Sequence, residues 1–257
     1  MNGRVLIGQL TDPHISCADE GSASGEALKR AVRTMLAVRP RPDAVLVTGD
    51  LAEAATDAEY ELVRELLAPL SMPVHVLSGN HDNPGAVRRH FGLPGSQDEP
   101  LCYSVWAGPL RLVLCDTTLP GRDDGRLDGE RLQWLEAELS AEREAPTIVA
   151  MHHAPLMTGM RAIDEIGLPA GDRDALATLV AKHEQVLRIV SGHVHRGAVG
   201  ALGGCVVFAC PSTHQQLLLD FESPSGFAVG DDPPAIALHL FQAGDLTSHV
   251  QPVGFPD

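Results

Sequence analysis

"PVHVLSGNHDN", residues 73–83, decides how this chain reads. Val74–Leu77 is a short apolar run of strand length, and the Gly-Asn pair behind it stops the strand. Asn80, His81 and Asp82 then follow without a break. Gly-Asn is common turn chemistry, since asparagine tolerates backbone conformations that most residues avoid. The six polar-rich residues therefore have an ordinary explanation. The alternative is that a buried strand presents an amide, an imidazole and a carboxylate to a ligand, and the rest of the chain decides between the two.

Upstream, Val5–Leu10 reads as a strand, residues 26–38 as an amphipathic helix, "PDAVLVTGD" (42–50) as a second strand and Asp57–Leu67 as a second helix. Strands and helices that alternate across short loops predict an α/β fold. Downstream, "CYSVWAG" and "LRLVLCD" flank Gly108-Pro109 like an antiparallel pair. A helix over 128–141, the strand "TIVAM", a helix over 172–182, the strand "VLRIVSG" and the run "GCVVFAC" follow. From Pro211 the chain is rich in loops. "ESPSGFAVGDDPP" (222–234) is too long for a tight turn, which marks a functional loop or an interface segment. "AIALHLF" and "LTSHVQPV" read as a closing strand pair. No internal repeat and no break in composition divides the chain.

The chain has 257 residues, enough for one large core. Its net charge of -15 argues against nonspecific binding to nucleic acid or to an anionic membrane, both of which need a positive field. Only Lys29 and Lys182 are lysines, so the basic groove of a nuclease on long nucleic acid is missing. An acidic protein that handles phosphate esters must supply positive charge locally, and a metal cluster does so. The 5 cysteines are scattered and contain no C-x-x-C pair, the usage of a reduced, cytoplasmic chain. "VLIGQL" is too short for a signal-peptide core, and no apolar run approaches a membrane span.

Every strand end carries the same kind of residue. The first gives Asp12 and His14, the second Asp50, the third Asn80 with His81 and Asp82, "TIVAM" gives His152 and His153, and "VLRIVSG" gives His193 and His195. Ligands of open α/β sheets bind at the carboxyl ends of the strands. Singly, each residue could cap a turn or fill a core; jointly, five such coincidences make a poor explanation. Oxygen and nitrogen donors without cysteine suit Mn, Fe, Co or Zn, and the number of donors is enough for two ions. In an extended segment, residues two apart project to the same side, so Asp12 with His14, and His193 with His195, are expected to reach one small space. Asp50 is the natural carboxylate to lie between two ions.

The order D-x-H, G-D, G-N-H-D, H, G-H-x-H, present as "DPH", "GD", "GNHD", "HHAP" and "GHVH" over about residues 5–196, resembles the calcineurin-like metallophosphoesterase superfamily. That resemblance implies a four-layer αββα sandwich of two mixed sheets. It implies that Asp12, His14, Asp50 and His195 hold one metal ion, and that Asp50, Asn80, His152 and His193 hold the other. His152 is preferred to His153 because the family's ligand is the first residue of this block. Residues 1–210 are then the catalytic domain and 211–257 an elaboration of it, in which 222–234 caps the site or joins two copies in a dimer or higher homo-oligomer.

"MHHAP", "GHVHR" and "CPSTHQ" further resemble bacterial class III cyclic-nucleotide phosphodiesterases and glycerophosphodiester phosphodiesterases. The expected activity is hydrolysis of a small phosphodiester at two metal ions that clamp the phosphoryl group and activate water. Phosphomonoesters and phosphonate monoesters are alternative substrates, and an inactive scaffold is the alternative of another class; a scaffold should have lost ligands, and none is lost. His81 is expected over the phosphoryl group as a transition-state donor or acid for the leaving alcohol. Asp82 is expected to orient His81, and His214 to reach the substrate.

Overall fold

The computed structural model describes residues 3–17, 23–223 and 226–254. In chain order the elements are β1 (Val5–Leu10), α1 (Ala23–Ala37), β2 (Ala44–Thr48), α2 (Asp57–Leu67), β3 (Val74–Leu77), α3 (Pro84–Phe91), β4 (Tyr103–Ala107) and β5 (Leu110–Leu114). Then come α4 (Gly129–Ala141), β6 (Thr147–Ala150), α5 (Arg161–Glu165), α6 (Ala170–Val180), β7 (Val186–Ser191), β8 (Ala198–Leu202), β9 (Cys205–Ala209), β10 (Ala235–Gln242) and β11 (Asp245–Pro252).

Two mixed sheets face each other, in the orders β11-β10-β1-β2-β3 and β4-β5-β6-β7-β9-β8. β1, β2 and β3 are parallel, as are β5, β6, β7 and β9, while β4, β8, β10 and β11 are antiparallel to their neighbours. Successive strand residues point to opposite faces, and in the central strands β1, β2, β5 and β6 both faces are buried. In β2, Ala44 and Leu46 enter the layer between the sheets, where they meet Leu112, Ile148 and Val190. Val45 and Val47 face outward onto Leu28 and Met35 of α1 and Tyr60 and Val63 of α2. The second sheet repeats the pattern, with Val113, Val149 and Ile189 outward against Leu135 of α4 and Leu176 of α6. The expected four-layer sandwich is therefore present.

Residues 211–254 are more than an appendage, because β10 lies inside the first sheet beside β1, with Val5 opposite Phe241. The same segment braces the loop after β1: Ser212 Oγ donates to the Asp12 carbonyl at 2.9 Å and Thr213 Oγ1 to that of Thr11 at 3.1 Å. Cys115, Cys205 and Cys210 are buried free thiols. The sequence reading missed α3, whose start signal lies in the motif itself: Asn83 caps the helix by accepting from Ala86 N at 2.9 Å, with Pro84 in the first turn. No helix among the described residues is long and apolar enough to cross a membrane.

Candidate metal centre

The parallel strands of both sheets end on one edge, and their loops bring the acidic and imidazole side chains together. The first sheet supplies Asp12, His14, Asp50 and Asn80; the second supplies His152, His193 and His195. The glycines of the motifs make this approach possible. A Cβ on Gly79 would lie 2.2 Å from Asp50 Oδ1, and one on Gly192 would lie 2.1 Å from Thr11 Oγ1.

Asp12 and His14 do converge in one donor group, whereas His193 and His195 fall in different groups, and neither pair is built on an extended backbone. Asp12 (φ 49°), His14 (45°), Asp50 (50°), His193 (66°) and His195 (50°) all lie in the left-handed region. That conformation is uncommon outside glycine, and Asn, Asp and His are the side chains that enter it most readily. Each chain therefore curls around the centre instead of running past it, a geometry that strand pleating alone does not give.

Asp12, His14, Asp50 and His195 each offer a donor atom within 4.8 Å of the others. His14 Nε2 lies 3.4 Å from Asp50 Oδ2 and 3.1 Å from His195 Nε2, and His195 Nε2 lies 3.6 Å from Asp12 Oδ1. On the other side, His152 Nε2 is 3.5 Å from the same Asp50 Oδ2 and 3.0 Å from Asn80 Oδ1. His193 Nδ1 is also 3.0 Å from Asn80 Oδ1. One carboxylate oxygen of Asp50 is thus shared by the two groups of donors.

The ring orientations have local causes. His14 Nδ1 faces Glu53 Oε2 at 2.8 Å, His152 Nδ1 faces the Thr48 carbonyl at 2.8 Å, and His195 Nδ1 faces the Gln215 carbonyl at 3.0 Å. Each Nδ1–H is spent on a fixed acceptor, which turns Nε2 into the centre; ligating histidines are commonly held this way. His193 Nε2 is buried without a hydrogen-bond partner. His153 behaves differently. Its Nδ1 contacts Thr117 Oγ1 at 2.8 Å and its Nε2 contacts the Asp123 carbonyl at 3.1 Å, so both ring nitrogens are occupied by the protein.

The electrostatics follow from burying two carboxylates among imidazoles. Burial opposes charge on Asp50, yet His152, His14 and His81 hold its pKa well below the usual range. Burial likewise opposes a proton on His14 and His152, but Glu53, Asp50 and Asp12 push His14 up to about 9, and Asp50 and Asp12 push His152 up to about 9. The carboxylates demand positive charge; divalent cations satisfy the same demand and displace protons. Burial and the neighbouring His152 pull His153 down to about 3, so it stays neutral. Oxygen and imidazole donors, buried carboxylates and Nε2 atoms turned inward fit a metal pair.

His81 and His214 line a cavity of ≈ 410 Å³ beside the centre, together with His14, His195, Gln215 and Glu53. The His81 backbone N–H donates to Asp50 Oδ1 at 2.9 Å, and its ring packs edge-on against His14 with centroids 4.7 Å apart. The expectation that Asp82 orients His81 is corrected by the structure. Asp82 Oδ2 accepts from Leu51 N at 3.0 Å and Gly79 N at 2.9 Å, and Oδ1 accepts from Ala52 N at 3.1 Å. The Leu51 and Ala52 bonds tie the loop after β2 to the loop after β3, and the Gly79 bond closes the turn within the latter. Burial and the Asp50 charge outweigh these bonds and raise the Asp82 carboxyl to about 6.

Glu53 is the group beside His81: its carbonyl lies 3.2 Å and its Oε2 3.7 Å from His81 Nδ1. Nothing marked Glu53 among 34 acids in the sequence; a parallel bridge between Ile15 and Ala52 brings it to the site. Burial pulls the His214 imidazole down to about 4. None of the described residues of 222–234 lines this cavity; Gly226, Phe227 and Ala228 line a smaller one against Met160 and Ile163.

The calcineurin-like phosphoesterase family matches residues 5–197, the span that contains every one of these donors. The chain belongs to that family. Among curated proteins, this calcineurin-like phosphoesterase is 29% identical over 257 residues to a probable glycerophosphodiester phosphodiesterase, GpdQ, of Arcobacter nitrofigilis, covering 97% of this chain and 94% of that one. It is 32% identical to the 3',5'-cyclic adenosine monophosphate phosphodiesterase CpdA of Pseudomonas aeruginosa, covering 81% and 76%. A dimetal phosphatase from Danio rerio shares the fold, with a TM-score of 0.69 at 18% identity over 97% of this chain and 99% of that one. The two sheets and the family assignment agree.

Proposed function

We propose that this calcineurin-like phosphoesterase hydrolyses small phosphodiesters, either cyclic nucleotides or glycerophosphodiesters. The observation that carries the reading is the Asp50 Oδ2 atom shared between two groups of inward-turned donors, with an imidazole-lined cavity alongside. Asp12, His14, Asp50 and His195 would hold one ion and Asp50, Asn80, His152 and His193 the other. A metal pair bound there would supply charge neutralisation at the phosphoryl group and activation of water.

The remaining steps belong to the chain's own residues. Asn80 adds an oxygen donor without adding a negative charge. His81, fixed by its backbone bond to Asp50 and its ring contact with the Glu53 carbonyl, lines the cavity. From there it stabilises the transition state or delivers a proton to the leaving alkoxide. His214 contacts the ester arm from the cavity wall. Relatives named for glycerophosphodiester and cyclic-nucleotide hydrolysis support the diester class. The test is a panel of cyclic nucleotides, glycerophosphodiesters, phosphonate monoesters and phosphomonoesters with Mn-loaded protein. Turnover confined to phosphomonoesters would refute the diester reading.

A further inference from the structure

We propose that Glu53 makes this site selective for singly charged phosphodiesters over doubly charged phosphomonoesters, an inference that rests on the function proposed above. Among the described residues lining the cavity, no lysine or arginine is present, and Glu53 is the only carboxylate. The Glu53 carboxylate is half exposed, lies 2.8 Å from His14 Nδ1 and 3.7 Å from His81 Nδ1, and so faces the side from which an ester meets His81.

A diester brings one negative charge to this wall. A monoester near pH 7 carries close to two, because its second pKa is about 6. Protein sites that take dianionic phosphate commonly offer an arginine fork or a lysine, and the described residues lining this cavity include neither. The extra charge of a monoester therefore meets Glu53 with no described lysine or arginine on the cavity wall to offset it. Unit charges about 7 Å apart in a medium between half-screened and fully aqueous change an equilibrium about three- to sevenfold. The discrimination should weaken as salt rises, since the carboxylate is open to solvent.

Glu53→Gln separates charge from hydrogen bonding, because the amide oxygen still accepts from His14 Nδ1. The experiment compares kcat/KM for nitrophenyl phosphate and bis-nitrophenyl phosphate in wild type, Glu53→Gln and Glu65→Gln, with metal content measured in each. Glu65→Gln removes the same charge from the exposed side of α2 and should leave the ratio of the two values unmoved. Glu53→Gln should raise the monoester-to-diester ratio about three- to sevenfold. Calorimetry on the same Mn-loaded proteins should show inorganic phosphate binding tighter by a similar factor, with dimethyl phosphate little changed. An unmoved ratio and unmoved phosphate affinity at full metal content would overturn the proposal. So would loss of metal in Glu53→Gln with retention in Glu53→Asp, since the charge would then serve to hold His14. Wild-type protein inactive on both esters would remove the functional reading instead, and the two binding affinities would still decide the role of Glu53.

Discussion

Asp82→Ala is expected to be a stability mutation before it is a catalytic one. The carboxylate is buried and accepts three backbone bonds, from Leu51, Ala52 and Gly79. A buried donor left unsatisfied costs about 1–3 kcal/mol, and some water will enter the space, so the three together should cost about 3–6 kcal/mol. Whole domains are stable by only about 5–15 kcal/mol. Asp82→Asn is the milder probe: with its oxygen in the Oδ2 position it keeps Leu51 and Gly79 and loses only Ala52, a cost of about 1–3 kcal/mol. Because these bonds join the loops that carry Asp50 and Asn80, metal affinity should fall in step with stability. Urea denaturation with metal analysis reads both quantities, and kcat at saturating Mn should recover for Asp82→Asn. A variant with a normal urea midpoint, full metal content and collapsed kcat would refute this, and would return Asp82 to a direct role with His81.

Chelation should abolish activity and Mn should restore it; full turnover by metal-free protein would sink the two-ion reading. His152→Ala should lose metal, whereas His153→Ala should keep it while losing about 2–4 kcal/mol of stability, since His153 spends both ring nitrogens on Thr117 and Asp123; metal stoichiometry beside thermal unfolding decides. His81→Ala should cost an alkyl diester about 10²–10⁴ in rate and bis-nitrophenyl phosphate much less, if His81 protonates the leaving oxygen; equal losses would leave it only charge stabilisation. Phe221, Phe227 and Val229 are exposed along with Leu218 and Leu219, an apolar face on which a homo-oligomer is expected to form. Phe221→Ser with Phe227→Ser should then lower the mass by light scattering, and a monomeric wild type would rule the interface out.

Much of this site was legible because its chemistry is written at strand ends, where Asp, Asn and His follow apolar runs within one or two residues. The strands themselves were legible because burial on both faces leaves continuous runs such as "AVLVT" and "TIVA". Glu53 was not legible. Its place depends on the pairing of Ile15 with Ala52, a contact between two loops that no local pattern encodes. Asp82 was misread for a related reason: adjacency to His81 in sequence suggested contact, while its carboxylate turns back to the backbone of residues 51, 52 and 79. The span from 211 onward looked like a tail because its loops precede its strands. The partner of β10 is β1, at the opposite end of the chain.

The left-handed backbone at Asp12, His14, Asp50, His193 and His195 sets this protein's heat tolerance against its chemistry. Each such residue holds strain of order 1 kcal/mol that glycine would relieve. Of the seven non-glycine residues at positive φ among the described residues, five are proposed metal ligands and the other two are Ala55 and Ala243. Stability and activity trade off in many enzymes through destabilised active sites; here the conflict is confined to a few backbone torsions. A library of this protein selected for survival at high temperature, without an activity screen, is expected to collect glycines at Ala55 and Ala243 and, unopposed, at residues such as His14 and His195. Its most heat-resistant members would be expected to fall silent in the assay.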